Sequence, residues 1–264
     1  MPSRDARLAI GYGADSTRAV VAWPDGGWRP LTFDHGGPVL SSAVHTTGML
    51  VGQAAWRTAA TTPDGFVPTP LRTAAAAGDA RSGEQAVATL RQVAAEATRI
   101  VGAPVTDVRM VVPAEWGPRR KTWLRQAAYR AGLGQPRLVE APVAAADRLL
   151  SVGVRVPVGA FLLVVDLGAG CEASVLRRGP AGFEVLSTLT DPQAGAWCVD
   201  ERLTAALAAD VTPGGADWWL ALAAVRTARE QLARRAVVTV PLPAGPPMVV
   251  HGRVVDEVAE PVGK

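Results

Sequence analysis

Lysine is nearly missing from this chain of 264 residues. Only two of its 27 basic residues are lysines, Lys121 and Lys264, and none lies between Met1 and Arg120. Arginine alongside abundant alanine, glycine and proline reads as a compositional bias rather than a nucleic-acid footprint, and the formal net charge is only +3. The arginines at 109, 119, 120, 125 and 130 read as a solvated helix face, and no aromatic platform for RNA accompanies them. Cysteine is scarce too. Cys171 and Cys198 support no disulfide framework and lack metal-ligand spacing. The three histidines, His35, His45 and His251, are scattered and imply neither a metal site nor a triad. Long apolar runs are absent: Phe161–Val165 has strand length, far short of the ~20 residues that span a bilayer. The charged N-terminus leads into no signal-peptide core. A cytoplasmic protein with no nucleic-acid or membrane partner is expected.

What is present is a motif that occurs twice. Leu8-Ala-Ile-Gly-Tyr-Gly-Ala-Asp-Ser16 is echoed about 155 residues later by Leu163-Val-Val-Asp-Leu-Gly-Ala-Gly-Cys171. Each copy is an apolar run, a Gly-x-Gly turn and a second apolar run. Each then meets a Pro/Gly turn, 24–27 or 179–182, and a third strand-like stretch. Glycine turns let backbone N–H groups approach an anion closely. Two such hairpins predict two related lobes gripping a ligand. Apart from any ligand, each glycine can also serve only to permit a tight hairpin.

Between and after the copies the pattern changes. The first unit predicts strands at 8–13, 18–23 and 28–33, and 34–102 is irregular until an alanine-rich helix at 82–101. Next come strand 109–112, helix 118–132, strand 137–139 and helix 142–152, an alternation that implies parallel pairing. Pro118 suits a helix start and Gly132 a helix end. The stretch 153–159 is a turn-rich boundary. Helices are expected at 198–209 and 215–235, the latter with Trp218, Leu222, Val225 and Leu232 at helical spacing, and strands at 237–240 and 248–254. The tryptophans read as core or inter-lobe packing.

Five stretches, in order, resemble the heat-shock protein 70 (DnaK-like) ATPase domain of the actin-like ATPase superfamily. Ile10-Gly-Tyr-Gly13 resembles its first phosphate loop, and Val51-Gly-Gln-Ala-Ala55 its VGQAA segment. Val112-Pro-Ala114, Ala131-Gly-Leu133 and Pro142–Ala146 are similar to the connecting TVPA…AGL…EPTAAA. Asp166-Leu-Gly-Ala-Gly170 resembles DLGGG, and Phe183–Thr188 with Asp200–Leu203 resembles FEVLSTAGD…FDERL. The resemblance implies an α/β, two-lobed actin-like (ribonuclease H-like) fold. Residues 1–156 would form lobe I, with an inserted subdomain at about 34–102, and 157–264 an incomplete lobe II. It further implies ATP or ADP with Mg, phosphate contacts from Gly11, Gly13, Ala14, Asp15, Gly168, Ala169, Gly170 and Gly195, and Asp166 as the catalytic, metal-associated carboxylate. Arg226, Arg229 and Glu230 take the places of adenosine-contacting residues, and Ala233 replaces a serine there.

The departures predict weak chemistry. Gly11 stands where the family has an aspartate, and Ala14-Asp15 where it has two threonines. Ala141 replaces the glutamate before PTAAA, with Glu140 one position early. The lobe-I lysine has no counterpart, Arg72 being the nearest cation, and Arg and Lys are not interchangeable at such a site. At ~2–4 kcal/mol per lost contact, two losses slow turnover by orders of magnitude. Cys171, in place of a threonine, reads as a small buried residue. The expectation is a nucleotide-binding domain with weak or absent hydrolysis. The alternative is a non-catalytic scaffold that binds another protein or itself; a sugar kinase of the same superfamily fits less well, because the matching stretches are chaperone-type.

Overall fold

The computed structural model describes residues 5–72 and 80–260. Lys264, and residues 73–79 of the expected inserted subdomain, lie outside the described residues.

The first repeat folds because its apolar residues alternate. In β1 (Arg7–Tyr12) Leu8, Ile10 and Tyr12 point to one side and are buried, as are Thr17, Ala19 and Val21 of β2 (Ser16–Ala22). The two pair antiparallel from Arg7↔Ala22 to Tyr12↔Thr17, and β3 (Trp28–Pro30) joins the outer edge of β2. On its other side β1 pairs in parallel with β8 (Asp107–Val112), and β8 with β9 (Arg137–Glu140). The order is β3-β2-β1-β8-β9, with β4 (Leu40–Ser41) also on β2. Parallel strands need crossovers, and α3 (Pro118–Arg130) provides the one between β8 and β9. Pro118 opens that helix and Gly132, at φ +86°, follows its end, as the sequence predicts.

One core joins these strands to α2 (Ala80–Val101) and α3. Helix α2 buries Ala86, Val87, Leu90, Val93, Ala97 and Val101 at three- and four-residue steps, and α3 adds Leu124, Ala127 and Ala128. Each buried leucine or valine contributes roughly 1.5–3 kcal/mol. An ion pair between Arg130 and Glu84 ties the two helices at their surface.

The stretch expected to be irregular is more ordered than its sequence suggests. It holds a small sheet, β6-β5-β7, with β5 (Val44–His45) paired to β6 (Leu50–Val51) and β7 (Phe66–Val67), and helix α1 (Gln53–Ala59). Strands of two residues are too short to show an alternating pattern. Buried His45 is satisfied there: its Nε2 lies 2.8 Å from Thr62 O and its Nδ1 accepts from Thr47 N.

The second repeat forms β10 (Phe161–Leu167), β11 (Cys171–Gly179) and β12 (Gly182–Asp191), a three-stranded antiparallel sheet with a bulge at Val175/Leu176. Helix α4 (Ala141–Ser151) packs on one face. The other face is bare among the described residues: Phe161, Leu163, Val165, Leu167 and Leu189 are 51–76% exposed. The chain ends in α5 (Ala196–Leu207), α6 (Ala216–Leu232), β13 (Val237–Val240), β14 (Met248–His251) and α7 (Gly252–Ala259). The strand expected over 248–254 therefore stops at His251. β13 offers only four partners, Val237 to Val240, and beyond them Val254, Val255 and Val258 pack by helical spacing against the cluster of Leu203, Val225 and Val250. Among the described residues no helix is long and apolar enough to cross a membrane.

Candidate functional site

The two glycine turns are each closed by backbone and then braced. In the first, Gly13 N donates to Ser16 O (3.1 Å), while Ser42 donates its Oγ to Gly13 O (2.8 Å) and its N to Asp15 O (2.9 Å). Buried Thr17 and Ser42 share a hydroxyl contact of 3.0 Å. In the second, Gly168 N donates to Gly170 O and Ala196 N to Gly168 O, both 2.9 Å. The first turn of α5 thus sits on the second glycine turn.

The glycines do different jobs. A Cβ on Gly195 would lie 2.5 Å from Gly170 Cα and 2.6 Å from the Ala169 carbonyl, and one on Gly13 2.7 Å from Ser16 O. On Gly170 it would crowd Pro192 Cα at 3.0 Å. Internal packing explains these three. Gly11 and Gly168 differ, because a Cβ on Gly11 meets nothing nearer than 3.9 Å and one on Gly168 meets nothing within 4 Å. Neither has a left-handed φ. Neither conformation nor packing demands glycine there: Gly168 faces open space, and a Cβ on Gly11 would make only an ordinary contact with Arg18 O.

Residues far apart in sequence tie the turns to the other half of the chain. Arg226 of α6 donates its Nη2 to Asp15 Oδ2 at 2.9 Å, while its Nη1 lies 2.7 Å from Oδ1 as an ion-pair contact without hydrogen-bond geometry. Its guanidinium carbon lies 5.4 Å from the Trp56 ring and 5.8 Å from that of Trp197, within cation–π range. Behind it, Phe66 stacks edge-on between Trp56 (4.8 Å) and Trp219 (5.0 Å), joining α1 and β7 to α6. From the other direction Arg72 Nη1 donates to Ala169 O (3.3 Å). Thr190 and Ala114 add contacts to Glu115 (2.9 Å) and Glu172 (3.3 Å).

The remaining expected site residues scatter in role. Arg229 holds Asp200 of α5 bidentately, at 2.5 and 3.1 Å, and Asp200 is 2% exposed. Burial pushes the Asp200 carboxyl above its ordinary value, against the opposing pull of Arg229. Glu230 is exposed on α6, and Ala14 packs against the main core. Asp166 lies exposed at the end of β10, directly opposite Glu172 in the register. Both line a cavity of about 300 Å³ with Ala141, Pro142, Ala145, Val164 and Val165. Burial raises Glu172 above its ordinary range, with the charges of Glu115, Asp166 and Glu140 adding to the shift. Glu140 itself is paired to Lys121 at 2.9 Å. Cys171 is half-buried, not fully buried as expected, and both cysteines are free thiols. Among the described residues no three His, Cys, Asp or Glu side chains gather to hold a metal.

Sequence reading passed over Trp56, Trp197 and the reach of Arg72. The sequence reads the tryptophans only as core or inter-lobe packing, and folding alone shows which rings meet one guanidinium.

The fold and site define a mixed α/β protein with two glycine hairpins, each braced to the opposite half of the chain. The family model described as Hsp70 protein matches residues 71–231, well over half of the chain. The chain belongs to the Hsp70 family. It is 30% identical over 236 residues to the Chaperone protein DnaK of Deinococcus radiodurans, covering 76% of this chain and 37% of that protein. It is 36% identical over 122 residues to the Chaperone protein dnaK3 of Thermosynechococcus vestitus, covering 46% of this chain and 18% of the relative. A chloroplastic relative, Heat shock 70 kDa protein 6 of Arabidopsis thaliana, is 35% identical over 122 residues, or 46% of this chain and 17% of its own length. The chain thus spans well under half the length of these curated relatives.

Proposed function

We propose that the chain binds ATP or ADP between two lobes, residues 1–156 and 157–264, and hydrolyses it weakly or not at all. The observation that carries this is the bracing of the two glycine turns to opposite halves of the chain, with open space over Gly168 and room for a side chain at Gly11. Backbone amides at Gly11, Gly13, Ala14 and Asp15 on one side, and at Gly168, Ala169, Gly170 and Gly195 on the other, would hold phosphates. Helix α6 would wall the adenosine side through Glu230, because Arg229 is committed to Asp200 and Arg226 turns to the first glycine turn.

Weak hydrolysis follows from what surrounds Asp166, the retained carboxylate. Ala141 lines its cavity where the family resemblance puts a glutamate, and catalysis of phosphoryl transfer depends on positioned charge. The donor set does not fit magnesium well: Gly11 offers no carboxylate, and that of Asp15 is taken by Arg226. Calorimetric titration with ADP and ATP, with and without magnesium, tests the reading. Micromolar binding is expected; no heat and no thermal stabilisation at millimolar nucleotide would sink it. A phosphate-release rate matching ordinary chaperones and abolished by Asp166→Ala would refute weak hydrolysis.

One observation favours a second reading, a protein-interaction module. The bare face of Phe161, Leu163, Val165, Leu167 and Leu189 is a contiguous apolar surface of the kind that marks an interface. Self-association through it predicts a concentration-dependent dimer, and a strictly monomeric chain at high concentration counts against it.

A further inference from the structure

Two arginines reach from opposite halves of the chain to the opposite glycine turn, and the resemblance gives neither a role at the phosphates. Arg72 extends to Ala169 in the second turn, and Arg226 to Asp15 in the first. Arg226 is no surface cation: its side chain is 14% exposed and its guanidinium lies within reach of the Trp56 and Trp197 rings. We propose that Arg72 and Arg226 are the phosphate-holding cations of this site, that they hold the phosphate chain of a nucleoside diphosphate without a divalent metal, and that this phosphate displaces Asp15 from Arg226. The inference rests on the nucleotide reading above.

Three observations support it. The guanidinium fork fits phosphate as it fits carboxylate, and Asp15 satisfies only one prong of it: Nη2 donates to Oδ2, while buried Nη1 and Oδ1 make no hydrogen bond, so a phosphate can use the fork more fully than Asp15 does. Asp15 holds the cation in the absence of ligand and becomes a competitor in its presence. Next, the carboxylate that could have shared a hydrated cation at the first turn is neutralised by Arg226, and position 11 is glycine. A divalent cation placed at the first turn meets the like charge of the Arg226 guanidinium, which costs more in a partly buried site than in water. Finally, Arg72 spends one nitrogen on a backbone carbonyl, so the rest of its fork can serve a ligand on the open side of Gly168.

The test is titration of the whole chain with ADP in EDTA and in magnesium, read by calorimetry and by the emission of the tryptophans beside Arg226. Affinity should agree within about twofold between the two conditions, because arginine and not metal supplies the charge. Arg226→Gln and Arg72→Gln should each weaken binding about tenfold or more, the scale of a lost charge-assisted hydrogen bond. Asp15→Asn should tighten it, since it removes the competing acceptor and leaves the arginine in place. Should Arg226→Gln not fold, Asp15→Asn carries the test alone. Magnesium-dependent binding, or weaker binding by Asp15→Asn, overturns the inference and leaves the nucleotide reading standing. Failure to bind in both conditions overturns both.

Discussion

The two glycine hairpins begin from nearly the same sequence pattern and end in different surroundings. In the first, Leu8 and Ile10 are essentially inaccessible, because β1 continues into the parallel strands β8 and β9 and is covered by α2 and α3. In the second, Leu163 and Leu167 are 68% and 74% exposed, since among the described residues β10 has a single strand neighbour and only α4 on the opposite face. The first unit is held by its core. The second is held largely by polar and close backbone ties: Ala196 to Gly168, Gly195 against Gly170, and the Asp200–Arg229 pair that locks α5 to α6. Equivalent local structure can therefore rest on unlike energetics, and the two halves should respond to mutation in opposite ways.

The sharpest break is at the buried ion pair. Arg229→Ala strands the Asp200 carboxylate in a dry site and should cost about 4 kcal/mol in urea unfolding. Core truncation comes next: Ile10→Ala should cost about 3 kcal/mol, whereas Leu163→Ala in the second unit should stay within about 0.5 kcal/mol. Equal costs for the two would erase the contrast. Among the glycines, Gly195→Ala should cost about 2 kcal/mol, because backbone atoms block the new methyl, while Gly168→Ala should fold as well as the parent.

The smallest effect is a pH dependence. The Glu172 carboxyl is raised above its ordinary 4.5, so the folded state binds its proton more tightly than the unfolded chain does. Its contribution to stability therefore falls as pH rises from near 4.5 through the raised value. Glu172→Gln keeps an acceptor for Ala114 N and removes the charge. Its stability relative to the parent should grow across that window and then level off, measured as melting temperature against pH. A difference that shrinks as pH rises would contradict the desolvation account.

Much of the frame was legible because it depends on local periodicity. The alternation in Leu8–Tyr12, Pro118 before a helix and Gly132 after it placed strands and helix ends to within a few residues. The miss at 248–254 has a physical cause. Val254, Val255 and Val258 are β-branched and favour a strand locally, but β13 has no residues left to pair with them and an apolar cluster waits on one side. The site was half legible. The glycines stood out in sequence, yet which of them are bound by packing and which face open space depends on neighbours distant along the chain, such as Gly195 against Gly170.

The sequence by itself determined the duplicated hairpins, the family to which the chain belongs and the absence of a lysine before Arg120, since these follow from residue identity and short-range spacing. The tertiary structure alone decided that Arg226 meets Asp15 across 211 positions, that Arg229 is committed to Asp200, and that one face of the second sheet is left bare. Charge pairing and burial depend on distance in space, and the chain sets that distance only when all its elements have packed.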